Sequence, residues 1–126
     1  MEALKFISDQ MTSLGIHYDF GEWKSDVVYP YFVGEITENE PMTEDGAETA
    51  TFILNGFSRS SSVLSLETAK EKIKKHFHPV HGLRATTDSG SSIAVFFAGA
   101  FYVQTGEADL KRIQINLIIK QWKGDL

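Results

Sequence analysis

Cysteine is absent from the 126 residues. That excludes disulfides and thiolate metal sites and fits a cytoplasmic folding environment. Also missing is any apolar run of the roughly 18–20 residues that a membrane-spanning helix needs. The N-terminal MEALKFISDQ interrupts its apolar residues with charges, unlike the continuous apolar core of a signal peptide. No GxSxG turn, P-loop or dinucleotide fingerprint occurs. Nothing therefore points to an activated nucleophile or a bound cofactor. The expectation is a non-enzymatic protein whose function resides in its surfaces.

What is present supports a folded chain. Hydrophobic residues make up 42%, and a chain of this length forms one domain, residues 1–126, that buries about two-thirds of its unfolded surface. The net charge of −5 conceals an asymmetry: residues 1–57 hold 11 acids and 2 bases, whereas 58–126 hold 6 acids and 10 bases. Such a split fits an acidic face meeting a basic face between copies, in a head-to-tail contact that closes into a ring. Charges scattered over solvated surfaces are the plainer reading.

Periodicity orders the elements. Ala3, Phe6, Ile7, Met11 and Leu14 form one apolar stripe over residues 1–14, with Gly15 where a left-handed C-terminal cap belongs. A short extended piece follows over 17–23, bent at Gly21. Two strands, 31–38 and 48–57, flank the acidic TENEPMTEDGAE; in the second, Phe52 and Leu54 share one face, and Thr51, Ile53 and Asn55 the other. A helix over 64–77 follows a serine-rich break in which Ser62 or Ser65 caps its start. Leu66, Ala69, Ile73 and Phe77 form its stripe, and its late lysines suit the helix dipole. Two last strands, 92–105 and 109–123, turn at Gly106. The final one alternates, with Ile113, Ile115, Leu117 and Ile119 opposite Arg112, Gln114, Asn116 and Lys120. Its partner, IAVFFAGAFYV, is apolar on both faces: alternation puts Ile93, Val95, Phe97, Phe101 and Val103 on one side and Phe96 and Tyr102 on the other. Either the N-terminal helix or a neighbouring subunit must cover the second face. The fold class is α+β, a mainly antiparallel β-sheet packed by two helices.

Few constellations carry chemistry. His76, His78 and His81 are the one cluster with metal-ligand spacing, and a zinc site needs three or four converging ligands; a polar helix end, with His76 near the C-terminal dipole, is the alternative. Glu38 and Glu40 project to the same strand face, an arrangement compatible with general acid and base work but more usual at a solvated loop tip. KEKIKK offers the one basic stretch for nucleic acid, yet its lysines spread around a helix in an acidic protein, and the aromatics occupy core positions instead of forming a stacking platform. No nucleic-acid or membrane partner is expected.

The segment YPYFVGEITENEPMTEDGAETATFILNGFSRSSSVLSLETAKEKIKKHF resembles the tail-terminator (tail-completion) proteins of long-tailed bacteriophages. The shared order is a YPY-containing strand ending in GEI, a charged hairpin loop, an apolar strand with Asn, and a helix of lysines and apolar residues. FYVQTGEADLKRIQINLIIK is similar to the family's closing strand pair. The likeness runs through most of the chain from Tyr29, with residues 78–91 unaligned. It implies an α/β sandwich-like fold and a homo-oligomeric ring, commonly a hexamer. Such a ring caps the tail tube, stops its polymerisation and prepares head attachment. It implies no enzymatic activity and no cofactor, and as partners the chain itself, a tail-tube protein and a head-completion protein. The location implied is the host bacterial cytoplasm during assembly and then the virion tail. The acidic residues Glu38, Glu40, Glu44, Asp45 and Glu48 would order against a neighbour or the tube, with Arg59, Lys111 and Arg112 as candidates to receive them. A head–tail joining protein of the same virion region, or a small α+β ligand-binding or enzymatic domain, are the alternative readings.

Overall fold

The computed structural model describes residues 3–22, 28–38, 48–60, 62–87 and 90–122. Period-two alternation carries most of them into one sheet. In chain order, α1 (Ala3–Ser13) and β1 (Tyr18–Phe20) precede β2 (Tyr31–Glu38) and β3 (Glu48–Arg59). Then α2 (Leu64–His76) leads to β4 (Leu83–Thr86), β5 (Ser92–Val103) and β6 (Leu110–Trp122). The six strands run in the order β1-β2-β3-β6-β5-β4. Only β1 against β2 is parallel; the other neighbours are antiparallel. The architecture is the expected α+β one, with β4 added inside the stretch that showed no pattern in the sequence.

Both helices pack on the same face of this sheet. The α2 stripe of Leu66, Ala69, Ile73 and Phe77 is buried, as are Ala3, Ile7 and Met11 of α1, with Phe6 and Leu14 packed at the margin. They meet Phe32, Phe52 and Leu54 on one half of the sheet and Val95, Ile115 and Leu117 on the other. Each fully buried large apolar side chain contributes about 1.5–3 kcal/mol. His76 Nε2 and Gln10 Oε1, 2.7 Å apart, tie the two helices together. After α1, Gly15 N–H donates to Thr12 O and Ile16 N–H to Met11 O, the paired bonds of a Schellman cap. The start of α2 differs from expectation. Val63 occupies the cap position without a side-chain bond; Ser62 Oγ accepts only the Leu64 N–H, and Ser65 pairs with Ser58 instead.

Simple alternation fails in β5. The pairing with β6 shifts between Phe97 and Gly99, leaving Ala98 as an extra residue and Gly99 at φ 137°. A bulge of this kind reverses the side-chain parity beyond it. Ala100 and Tyr102 therefore stand opposite Ile115 and Ile113 on the helix side, while Phe101 and Val103 stand opposite Gln114 and Arg112. Phe101 and Val103 thus do not share a face with Ile93, Val95 and Phe97. The N-terminal helix does not cover the second face either, because it joins α2 on the first. Phe101 remains 49% exposed and Ile118 40%.

One close approach sets the spacing of β2 and β3 over the core. Gly56 pairs with Phe32, and a Cβ at Gly56 would lie 2.3 Å from Phe32 Cε2. The Gly56→Ala variant is expected to lose about 1–3 kcal/mol, the usual cost of overpacking, read as a lower midpoint in urea denaturation. An unchanged midpoint would mean that the Phe32 ring moves aside freely.

Candidate functional site

The helix-free face is ordered by strand register. One row across β2, β3, β6 and β5 reads Tyr31, Phe57, Arg112 and Val103; the next reads Val33, Asn55, Gln114 and Phe101. The rings stack along and beside the first row. Tyr31 lies 5.2 Å from Phe57 at 24°, and Tyr29 lies 5.5 Å from Tyr31. Arginines close both ends, Arg112 over Phe57 at 5.6 Å and Arg59 over Tyr29 at 5.9 Å. Burial raises the Tyr31 hydroxyl above its ordinary pKa. Sequence reasoning assigned the aromatics to core positions; Tyr31, Phe57 and Phe101 instead lie on this open face. A polar chain crosses the same surface: Arg112 donates to Asn55 Oδ1 at 2.8 Å, and Asn55 Nδ2 donates to Glu35 Oε1 at 2.8 Å.

Of the three candidate bases, Arg59 and Arg112 share this face. Lys111 does not, because it pairs with Ser58 on the helix side of the sheet. Arg59 is engaged within the chain, 3.0 Å from Asp109 and 3.4 Å from Glu107 in the β5–β6 turn. Hydrogen bonding to Tyr29 and Asp109 holds its guanidinium still more firmly charged. The acids stand elsewhere. Glu38 closes β2 and Glu48 opens β3, whereas Glu40, Glu44 and Asp45 lie outside the described residues. Glu48 and Arg59 are the two ends of one strand, which at ~3.3 Å per residue separates them by about 36 Å. Glu38 and Glu48 thus stand at one end of the sheet and the candidate bases at the other, where Asp109 and Glu107 accompany Arg59; Lys120, opposite Thr49, lies at the Glu48 end.

At the basic end lies a concavity of about 560 Å³ beside the β5–β6 turn, with Val63, Tyr102, Glu107, Lys111 and Arg112 in its wall. The Tyr102 hydroxyl donates to Glu67, and Lys70 Nζ sits 3.0 Å from the other oxygen of that carboxylate. Burial and the Glu67 bond push the Tyr102 hydroxyl upward. The Tyr102 bond, followed by that of Lys70, holds the Glu67 carboxyl below the usual range. The histidines form a different arrangement from a ligand set. His76 turns to Gln10, while His78 and His81 stack at 4.7 Å and His78 Nδ1 accepts the N–H groups of Val80 and His81. Among the described residues, no three of His, Asp and Glu are grouped so as to hold a metal ion.

The Glu67 contact gives a pH expectation. A carboxyl whose folded pKa lies below its unfolded one adds stability above the unfolded value and loses it as pH falls through the folded value. Tyr102→Phe removes the largest cause of the depression. The Glu67 titration, followed by NMR, is expected to move up toward the ordinary carboxylate midpoint; an unmoved midpoint would assign the shift to Lys70 alone.

No family model and no curated protein matches the chain. Seven chains of solved structures do match. One belongs to the virion of a native gene transfer agent (GTA) particle. It superposes with a TM-score of 0.58 at 11% sequence identity, covering 88% of this chain and 83% of that one. At that identity the likeness is one of fold.

Proposed function

We propose that this chain is a structural protein of a phage or prophage virion, closing into a ring, commonly of six copies, on the end of the tail tube. There it ends tube polymerisation and prepares head attachment, without enzymatic activity. The observation that carries this reading is the fold shared with a virion chain over most of both lengths. It agrees with the family likeness of the segment from Tyr29 to Phe77.

The surfaces supply a physical route. Two helices are spent on one face of the sheet, leaving Phe101, Ile118 and the Tyr31–Phe57 stack without a covering layer from the described residues. Glu38 and Glu48 at one end and the candidate bases at the other favour a head-to-tail contact, which closes into a ring when the rotation between copies divides the circle evenly. A closed ring presents no edge equivalent to a growing tube layer. In this reading Glu38, Glu40, Glu44, Asp45 and Glu48 face a neighbouring copy or the tube protein, and Arg59, Lys111 and Arg112 are the candidate acceptors. A head-completion protein binds the outer surface of the ring, first in the host cytoplasm and then in the virion.

Deleting residues 41–47 tests the assembly role. Far-UV circular dichroism and thermal midpoint are expected to stay close to those of the intact chain, while rings disappear from negative-stain images and tail tubes grown with the variant overrun their normal length. An intact chain that neither forms rings nor limits tube growth would refute the terminator reading; tubes of normal length that fail only to join heads would favour a head–tail joining role.

A further inference from the structure

We propose that the free edge of β5 over residues 99–103 pairs antiparallel with the same edge of a second copy of this chain. One sheet then runs through two chains about a two-fold axis at Phe101. The contact is isologous and lies outside the ring reading, which needs only a head-to-tail interface.

The edge is open by topology. β4 pairs with β5 only from Ser92 to Val95. Phe77 O then accepts the Phe97 N–H, and beyond it no described strand pairs with β5 on the β4 side. Alternate residues of an antiparallel strand turn N–H and C=O away from their partner, so residues 99–103 present an unfilled ladder. Phe101 and Tyr102 are 49% and 43% exposed, which leaves that ladder within reach of another chain.

The chemistry of the edge does not deter pairing. Natural edge strands carry lysine, proline, inward charge or a bulge for that purpose. Residues 98–103, AGAFYV, have no charge and no proline. The bulge stands at the start of this segment, and Gly99 to Val103 follow in regular register with Asn116 to Arg112 of β6.

Side-chain size selects the occupant. Residues directly opposite in an antiparallel pair share a face, so the two-fold axis must pass through a residue and not between two. The axis that uses every residue from Gly99 to Val103 and leaves Ala98 outside passes through Phe101. It sets Gly99 opposite the partner's Val103 and Ala100 opposite the partner's Tyr102, a small residue against a large one each time. The two Phe101 rings meet side by side on the helix-free face, an aromatic cross-strand pair. An axis at Ala100 would instead draw the bulge and the occupied Phe97 N–H into the ladder. With no charge on either edge, identical copies meet without repulsion. Pairing also covers an apolar edge that otherwise templates aggregation.

The chain contains no cysteine, so a Phe101→Cys variant reads the axis directly. Opposed Cβ atoms in an antiparallel pair stand about 4.5–5.5 Å apart, close to the separation a disulfide spans. Mild oxidation is expected to give a cross-linked dimer on a non-reducing gel. Ile118→Cys, comparably exposed on the same face but off the axis, is expected to give none. Phe101→Lys and Phe101→Glu each oppose like charges across the axis; in sedimentation each is expected to lose the dimer alone and regain it when the two are mixed. Circular dichroism checks that these variants fold. An intact chain that sediments at micromolar concentration as a monomer overturns the pairing, as does equal cross-linking at positions 101 and 118. Rings built from chains that do not cross-link at position 101 refute the pairing and leave the ring reading intact. Dimers linked at position 101 that never close into rings or cap tubes support the pairing and refute the ring.

Discussion

Twelve consecutive residue pairs join β3 to β6, from Glu48 opposite Gln121 to Arg59 opposite Leu110, and the rest of the molecule depends on that register. Because side chains alternate with a period of two, this one alignment sends Phe52, Leu54, Ile115 and Leu117 to the same face. A slip of one residue would turn all of them to solvent. The α1 and α2 stripes bury against this surface. The length of the ladder has a second consequence. Its antiparallel run fixes the acidic connection at one end of the sheet and Lys111 and Arg112 at the other, a polarity that a compact hairpin would not have.

The unequal treatment of the two faces is the feature most relevant to assembly. On the first, helices exclude water from a continuous core. On the second, packing is lateral: Tyr29, Tyr31 and Phe57 stack along the surface, Arg59 and Arg112 cover the ring faces at the ends, and Asn55 links Arg112 to Glu35. These contacts give the face a fixed shape and leave Phe101 and Ile118 outward. A preformed surface costs less ordering entropy on association than a mobile one. The bulge at Ala98 is part of this design, since without the parity change Phe101 would point toward the helices and Tyr102 could not reach Glu67.

Much of the fold was legible in the amino-acid pattern because its elements are strongly periodic. The α2 stripe, the α1 stripe with its Gly15 cap, and the alternation of β3 and β6 all follow from residue spacing, and the structure has them where the spacing puts them. β4 was not legible: Leu83–Thr86 is short, half-buried and held by pairing to Val95, Ala94, Ile93 and Ser92, so its signal lies in a partner and not in itself. The parity of Phe101 and Val103 was misread because a bulge leaves only a small residue and a glycine as its trace. Of the candidate site, the bases could be named in advance. That Arg59 would be taken up by Asp109 and Glu107, or that Lys111 would fall on the opposite face from Arg112, needed the turn geometry and the register. The alternation puts Asn55 opposite Phe52 and Leu54, and continuing the count reaches Phe57, whereas Tyr31 joins them only through the β2–β3 register.

The sequence by itself determined that there are no disulfides, which segments other than β4 are helix and which strand, which side of most elements is apolar, and that acids and bases are divided between the two halves of the chain. These are local properties, set by composition and by the 3.6- and 2-residue periods. Only the tertiary structure decided that both helices share one face, that the other face carries a stacked aromatic row, and that Glu38 and Glu48 stand at the opposite end of the sheet from Arg59, Lys111 and Arg112. Those outcomes depend on which strands pair and in what register, and pairing joins residues as distant as Glu48 and Gln121 through contacts that no local pattern encodes.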